Sequence, residues 1–126
     1  MSKIFEEAYK FHSDGQLTKA KDLYLELLQE DDTNSKVWYL LGMLYLQAKE
    51  YSESENCLKK AIDLEPKLAY LENLAKLYLE KGDYDLTISI YEVLLKNRSE
   101  NYEYWFNIAL AYKNTKQWEK AIVIFL

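Results

Sequence analysis

From Val37 to Leu46 the chain reads VWYLLGMLYL, ten positions of which only Gly42 is not apolar. As a helix such a run shows apolar side chains to every side, so other helices must surround it. Elsewhere apolar positions recur every three or four residues, the period of an amphipathic helix. The pattern predicts paired helices of roughly 14 and 12–14 residues, joined by short polar turns such as EKGDY at 80–84.

The same pattern repeats. Trp38, Leu41, Gly42 and Tyr45 are followed 33 residues on by Leu71, Leu74, Ala75 and Tyr78, and a further 34 on by Trp105, Ile108, Ala109 and Tyr112. Ile4, Glu7, Ala8 and Phe11 stand 34 residues upstream. Gly15, Lys49, Gly82 and Lys116 mark the turn within each unit. Ala20, Ser54, Thr87 and Ala121 come five residues later, then Tyr24, Leu58, Tyr91 and Phe125. Small residues allow close approach of helix backbones, and a single helix pair cannot bury its apolar faces without a neighbour.

With these residues in register the chain resembles the tetratricopeptide repeat family, whose pattern is W-x2-L-G-x2-Y, A-x3-F and P within 34 residues. The resemblance covers units at 1–34, 35–67, 68–101 and a shortened 102–126. Glu7 departs from the apolar seventh position, Pro66 alone closes a unit, and the second unit is one residue short. The resemblance implies one all-α array over 1–126, an α-solenoid of antiparallel helix pairs, about three and a half to four units wound into a right-handed superhelix. A pentatricopeptide RNA reader shares the helix-pair repeat, but period, aromatic placement and charge count against it.

Composition narrows the function. The formal net charge is −5 and the 126 residues include one Pro and three Gly. The acidic balance and scattered Lys and Arg argue against nucleic acid as partner. The N-terminus MSKIFEEAYK has no apolar signal core, and no run approaches the length of a membrane span. One cysteine, Cys57, excludes an internal disulfide or a cysteine-rich zinc site. These features lead to the expectation of a cytoplasmic protein that does not insert into membranes.

The stripe Tyr39, Met43, Leu46 is not explained by packing. Trp38, Leu41, Gly42 and Tyr45 are expected to meet the second helix of their own unit, and Val37, Leu40 and Leu44 the preceding unit. In the family the remaining face of each first helix lines a concave groove. The corresponding positions are Phe5, Tyr9 and His12; Glu72, Lys76 and Leu79; Phe106, Leu110 and Lys113. Tyr supplies rigid area with a polar tip, and Met is a pliable contact. Asn73 and Asn107, 34 apart beside that groove, resemble two rungs of the asparagine ladder of O-GlcNAc transferase, where amides hold a bound backbone. The expected peptide-binding set is Phe5, Tyr9, Tyr39, Met43, Leu46, Asn73, Lys76, Phe106, Asn107 and Leu110.

The Hsp70/Hsp90 carboxylate clamp of some family members is missing. It needs Lys and Asn at the fifth and ninth positions of the first unit, where Phe5 and Tyr9 stand, an Asn where Leu40 stands, and a basic pair where Ala69 and Asn73 stand. Catalysis is not indicated either. His12 is the sole histidine and is expected to be solvated at a helix end. Cys57 lies among apolar neighbours, and the acidic residues have no metal or paired-carboxylate spacing. No metal or cofactor is expected. Glu72 and Lys76 are spaced for an ion pair within one helix.

The sequence reads as a non-enzymatic protein-interaction module that binds a peptide or helical segment in an apolar groove. The alternative is the substrate-presenting arm of a larger enzyme such as a glycosyltransferase. AIVIFL at 121–126 stops midway through a predicted helix. The expectation is a severed N-terminal portion of a longer protein, able to self-associate through that open edge.

Overall fold

The computed structural model describes residues 3–97 and 100–115. Among them every regular element is a helix: α1 (Lys3–Ser13), α2 (Leu17–Glu30), α3 (Ser35–Gln47), α4 (Tyr51–Leu64), α5 (Leu68–Lys81), α6 (Tyr84–Asn97) and α7 (Tyr102–Asn114). Lys116, Ala121, Phe125 and the expected open edge at 121–126 lie outside the described residues.

The intra-pair turns share one mechanism. At the end of α1, Gly15 N–H donates to the His12 carbonyl at 3.1 Å and Gln16 N–H to the Phe11 carbonyl at 2.9 Å. Lys49 and Glu50 repeat this on Leu46 and Tyr45, and Gly82 and Asp83 on Leu79 and Tyr78. This Schellman closure requires a left-handed residue after the helix. Gly15 (φ 82°) and Gly82 (φ 89°) adopt it without a Cβ penalty, whereas Lys49 (φ 60°) adopts it under strain. The helices that follow the longer loops begin on asparagine. Asn34 accepts from Val37 N–H, and Asn101 from Glu103 and Tyr104 N–H, satisfying donors that the first helical turn leaves unpaired.

The chain divides into two compact units, Met1–Tyr70 and Leu71–Leu126, with the boundary in the first turn of α5. In the first unit α1 packs on α2, α2 on α3, and α3 on α4. Its core gathers Ala8, Ala20, Tyr24, Leu28, Val37, Leu40, Leu41, Leu44 and Cys57. The oily run of α3 is thus used from two sides. Val37, Leu40 and Leu44 join the cluster with α1 and α2, and Gly42 comes against Leu58 and Cys57 of α4. Ser54 Oγ, fully buried, donates to the Gly42 carbonyl at 2.7 Å. A serine can cross to the facing helix there because glycine has no side chain to hold the backbones apart.

In the second unit α6 packs on α7. Leu74, Ala75, Leu77, Tyr78, Ile88, Tyr91, Leu94, Tyr104, Ile108 and Ala109 are buried. Ala75 stands in the register of Gly42. Thr87, in the register of Ser54, donates instead to the carbonyl of Asp83, the residue just before its own helix, at 2.9 Å. Tyr91 and Tyr104 rings lie 5.7 Å apart.

Candidate functional site

In the first unit a cleft of about 420 Å³ is lined by Tyr9, His12 and Ser13 from α1 and by Tyr39, Leu40, Met43 and Gln47 from α3. Spacing explains the composition. Tyr39, Met43 and Gln47 follow one another at intervals of four, and Tyr9 precedes His12 and Ser13 by three and four, so each helix contributes one face. Tyr9 is 50% exposed. Met43 and Tyr39 are half-buried.

Tyr39 is held from beneath. Its ring stacks on Tyr70 with centroids 4.6 Å apart. Tyr70 is in turn fixed by Ser35, whose Oγ lies 3.3 Å from the Tyr70 hydroxyl and donates to Glu65 at 2.8 Å. That hydrogen bond, with a smaller contribution from Lys67, holds the Glu65 carboxyl below the usual carboxylate range. Phe5 stands next to Tyr9, ring centroids 6.5 Å apart, with the Lys36 ammonium 5.6 Å from its ring centre. Leu46 is half-buried and lies outside the cleft lining.

His12 departs from the expected solvated helix end. Its Nε2 bonds to Gln47 Oε1, and its Nδ1 lies 3.0 Å from the Tyr24 hydroxyl. An amide oxygen only accepts, so Nε2 carries the proton; in the neutral ring Nδ1 then accepts from Tyr24. The cause is the depth of Tyr24. Its ring is fully buried, and burial, with a smaller effect of Tyr9, pushes its phenol up to about 12. A buried hydroxyl needs a partner, and His12 supplies it. Ser13, Leu40 and Gln47 were not among the expected site residues, and His12 was placed on the groove face without being counted in the peptide-binding set. The four-residue stripe that continues from Met43 to Gln47 is the sequence signal for the last of them.

In the second unit the expected residues are partly committed to the protein itself. Asn107 Nδ2 donates to the Tyr91 hydroxyl at 3.0 Å. Lys76 pairs with Glu103 of α7 at 3.4 Å, and Glu72 accepts from Tyr104 at 2.7 Å. Both members of the expected Glu72–Lys76 pair therefore have partners on α7. The exposed Lys76–Glu103 pair is screened and worth only a few tenths of a kcal/mol. Phe106 is 52% exposed, while Asn73 and Leu110 are half-buried.

No group of three or more His, Cys, Asp or Glu among the described residues is placed to hold a metal ion. Cys57 is buried, and desolvation with a lesser effect of Glu53 pushes its thiol up to about 11. That makes it a poor nucleophile. No helix among the described residues is long and apolar enough to cross a membrane.

A model of the tetratricopeptide repeat matches residues 11–77, more than half of the 126 residues, and a second matches 72–126. The chain belongs to the tetratricopeptide repeat family. BBSome complex member BBS4 from Bos taurus is 28% identical over 108 residues, which cover 85% of this chain and 21% of that protein. The chain thus spans about a fifth of the length of this curated relative. Among solved structures, MamA protein superposes with a TM-score of 0.88 at 21% identity, covering 97% of this chain and 67% of its own. MamA from Desulfovibrio magneticus RS-1 gives 0.88 at 16% identity, covering 96% and 69%. These likenesses show the fold, an all-α helical repeat of the solenoid class.

Proposed function

We propose that this tetratricopeptide chain is a protein-interaction module whose first unit seats an apolar side chain of a peptide or helical segment in the cleft between α1 and α3. The observation that supports the reading is that cleft: Tyr9, Tyr39 and Met43 line it, and none is sealed by the helices of its unit. Rigid aromatic area beside an adaptable thioether suits an apolar anchor. Tetratricopeptide repeats in general mediate contacts between proteins, and BBS4 is named as a member of a complex. In the second unit the half-exposed Phe106 is the side chain that a partner segment would cover. A single small cleft of this kind supports affinities around the micromolar range, about −8 kcal/mol.

The test is selection of peptides from a random display library on the immobilised chain, followed by titration of the strongest binder. Tyr9→Ser with Met43→Ala should weaken it at least about tenfold while far-ultraviolet circular dichroism stays unchanged. Equal binding to the double variant and to the unaltered chain would remove the cleft as the site.

A further inference from the structure

The lining of the cleft holds no carboxylate and no lysine or arginine, and His12 is its one side chain of a type that changes charge between about pH 5 and 8. The half-buried ring is tied on both sides. Its Nδ1 lies 3.0 Å from the hydroxyl of the fully buried Tyr24, and its Nε2 bonds to Gln47 Oε1. Around it, α1 carries Tyr9 one turn earlier and the exposed Lys10, with the exposed Asp14 in the turn that follows. Tyr24 faces the ring from α2, where Lys21, half-buried, precedes it by three positions. On α3 Tyr39 lines the cleft, and the exposed Lys49 and Glu50 stand in the turn beyond Gln47. The acids of this neighbourhood are exposed, and neither lines the cleft.

We infer that His12 makes the cleft release its guest in acid: an uncharged apolar side chain is held while the imidazole is neutral and let go once the imidazole is protonated. This adds a regulation to the reading above and rests on it. Two effects point the same way. A neutral imidazole offers one donor and one acceptor in either tautomer, whereas the charged ring offers two donors. On protonation either the Tyr24 hydroxyl or the Gln47 amide loses its acceptor, so one of the two contacts in the cleft wall must be remade, whichever nitrogen held the first proton. The second effect is desolvation. A guest that covers the ring removes its water and brings no counter-charge, so the cost of the charged ring falls on the bound state. The C-terminal end of α1 favours a cation, but it acts on the ring with and without the guest and does not cancel that cost. By reciprocity the guest, on binding, drives the proton off.

The probe is a display-selected peptide whose binding depends on Tyr9 and Met43. It is drawn from a library without His, Asp, Glu or Cys and blocked at both ends, so that only the chain titrates. Its Kd should rise about tenfold from about pH 8 to about pH 5.5, with far-ultraviolet circular dichroism unchanged. At about pH 6.5 binding should release protons, read by calorimetry in two buffers of different ionisation heat. His12→Gln keeps one donor and one acceptor and cannot take a charge. Its Kd should change less than about twofold over the same range, without proton release. His12→Phe with Tyr24→Phe, which leaves no orphaned hydroxyl, should behave alike and serves if the first variant does not fold. Equal affinity of the unaltered chain at both pH values, or the same loss in a folded His12→Gln chain, overturns the inference while the cleft stands. If no selected peptide depends on Tyr9 or Met43, the cleft reading fails and this inference with it.

Discussion

A β-carbon built on Gly42 would lie 2.9 Å from Leu58 Cγ and 3.1 Å from its Cδ2. Leu58 is fully buried and has little room to move. Replacing Gly42 by Val should therefore cost about 1–3 kcal/mol through overpacking, in spite of the poor helix propensity of glycine. Urea unfolding measures it. Shortening the neighbour should relieve the clash: Gly42→Ala combined with Leu58→Ala should cost less than the sum of the two single changes. Strict additivity would mean that the close approach is not what requires glycine at this position.

Lys49 offers the opposite sign. Gly15, Lys49 and Gly82 close the three described intra-pair turns in the left-handed region, and only Lys49 carries a Cβ there. Lys49→Gly removes strain of about 1–2 kcal/mol and adds about 0.5–1 kcal/mol of unfolded-state entropy. The net should be a gain of a few tenths to about 1 kcal/mol, seen as a higher urea midpoint with unchanged slope. A lower midpoint would contradict the strain argument.

Alkaline pH should unfold the chain early. Burial raises Cys57 to about 11, and Tyr24 and Tyr91 to about 12, from ordinary values of 9.0 and 10.0. Between those limits the unfolded chain has released protons that the folded chain still holds, so stability falls as pH rises. The urea midpoint should be level up to about pH 9 and drop steadily from there towards about pH 12. The near-ultraviolet phenolate signal of Tyr24 and Tyr91 should appear only with unfolding. Loss of stability on the acidic side of pH 9 with a flat alkaline limb would be the wrong sign.

Tyr39 serves the cleft and the fold at once. Its stack on Tyr70 means that Tyr39→Ala removes an aromatic pair worth about 0.5–1.5 kcal/mol together with part of the ring's burial. Tyr39→Phe keeps the ring in both roles and should lower the melting temperature less than Tyr39→Ala does. A stable Tyr39→Ala protein would show that Tyr70 contributes nothing beneath the cleft. For the same reason Tyr9 and Met43 are the cleaner positions at which to test binding.

Much of the fold was legible because repetition amplifies it. Gly42, Ala75 and Ala109 recur at the small position, and Tyr24, Leu58 and Tyr91 at the large one, and each is buried. The turn position was equally plain, although nothing in a lysine announces that it will hold a left-handed backbone. The cleft was half legible. Tyr9, Tyr39 and Met43 appear as a stripe left over from packing, whereas His12 looked like a solvated helix end. Its two hydrogen bonds join residues 12 and 35 positions away in the chain, and no local period encodes such a link. Asn107 and Lys76 were read as offered to a guest, but each bonds within its own unit, to Tyr91 and to Glu103.

The sequence by itself determined where helices start, where they turn and which face of each is apolar, since these depend on side-chain volume and backbone angles at fixed spacing. Which polar tips find one another was decided only by the tertiary structure. A hydrogen bond depends on distances of tenths of an ångström between helices, and a buried hydroxyl such as that of Tyr24 takes whatever partner the packing brings within reach.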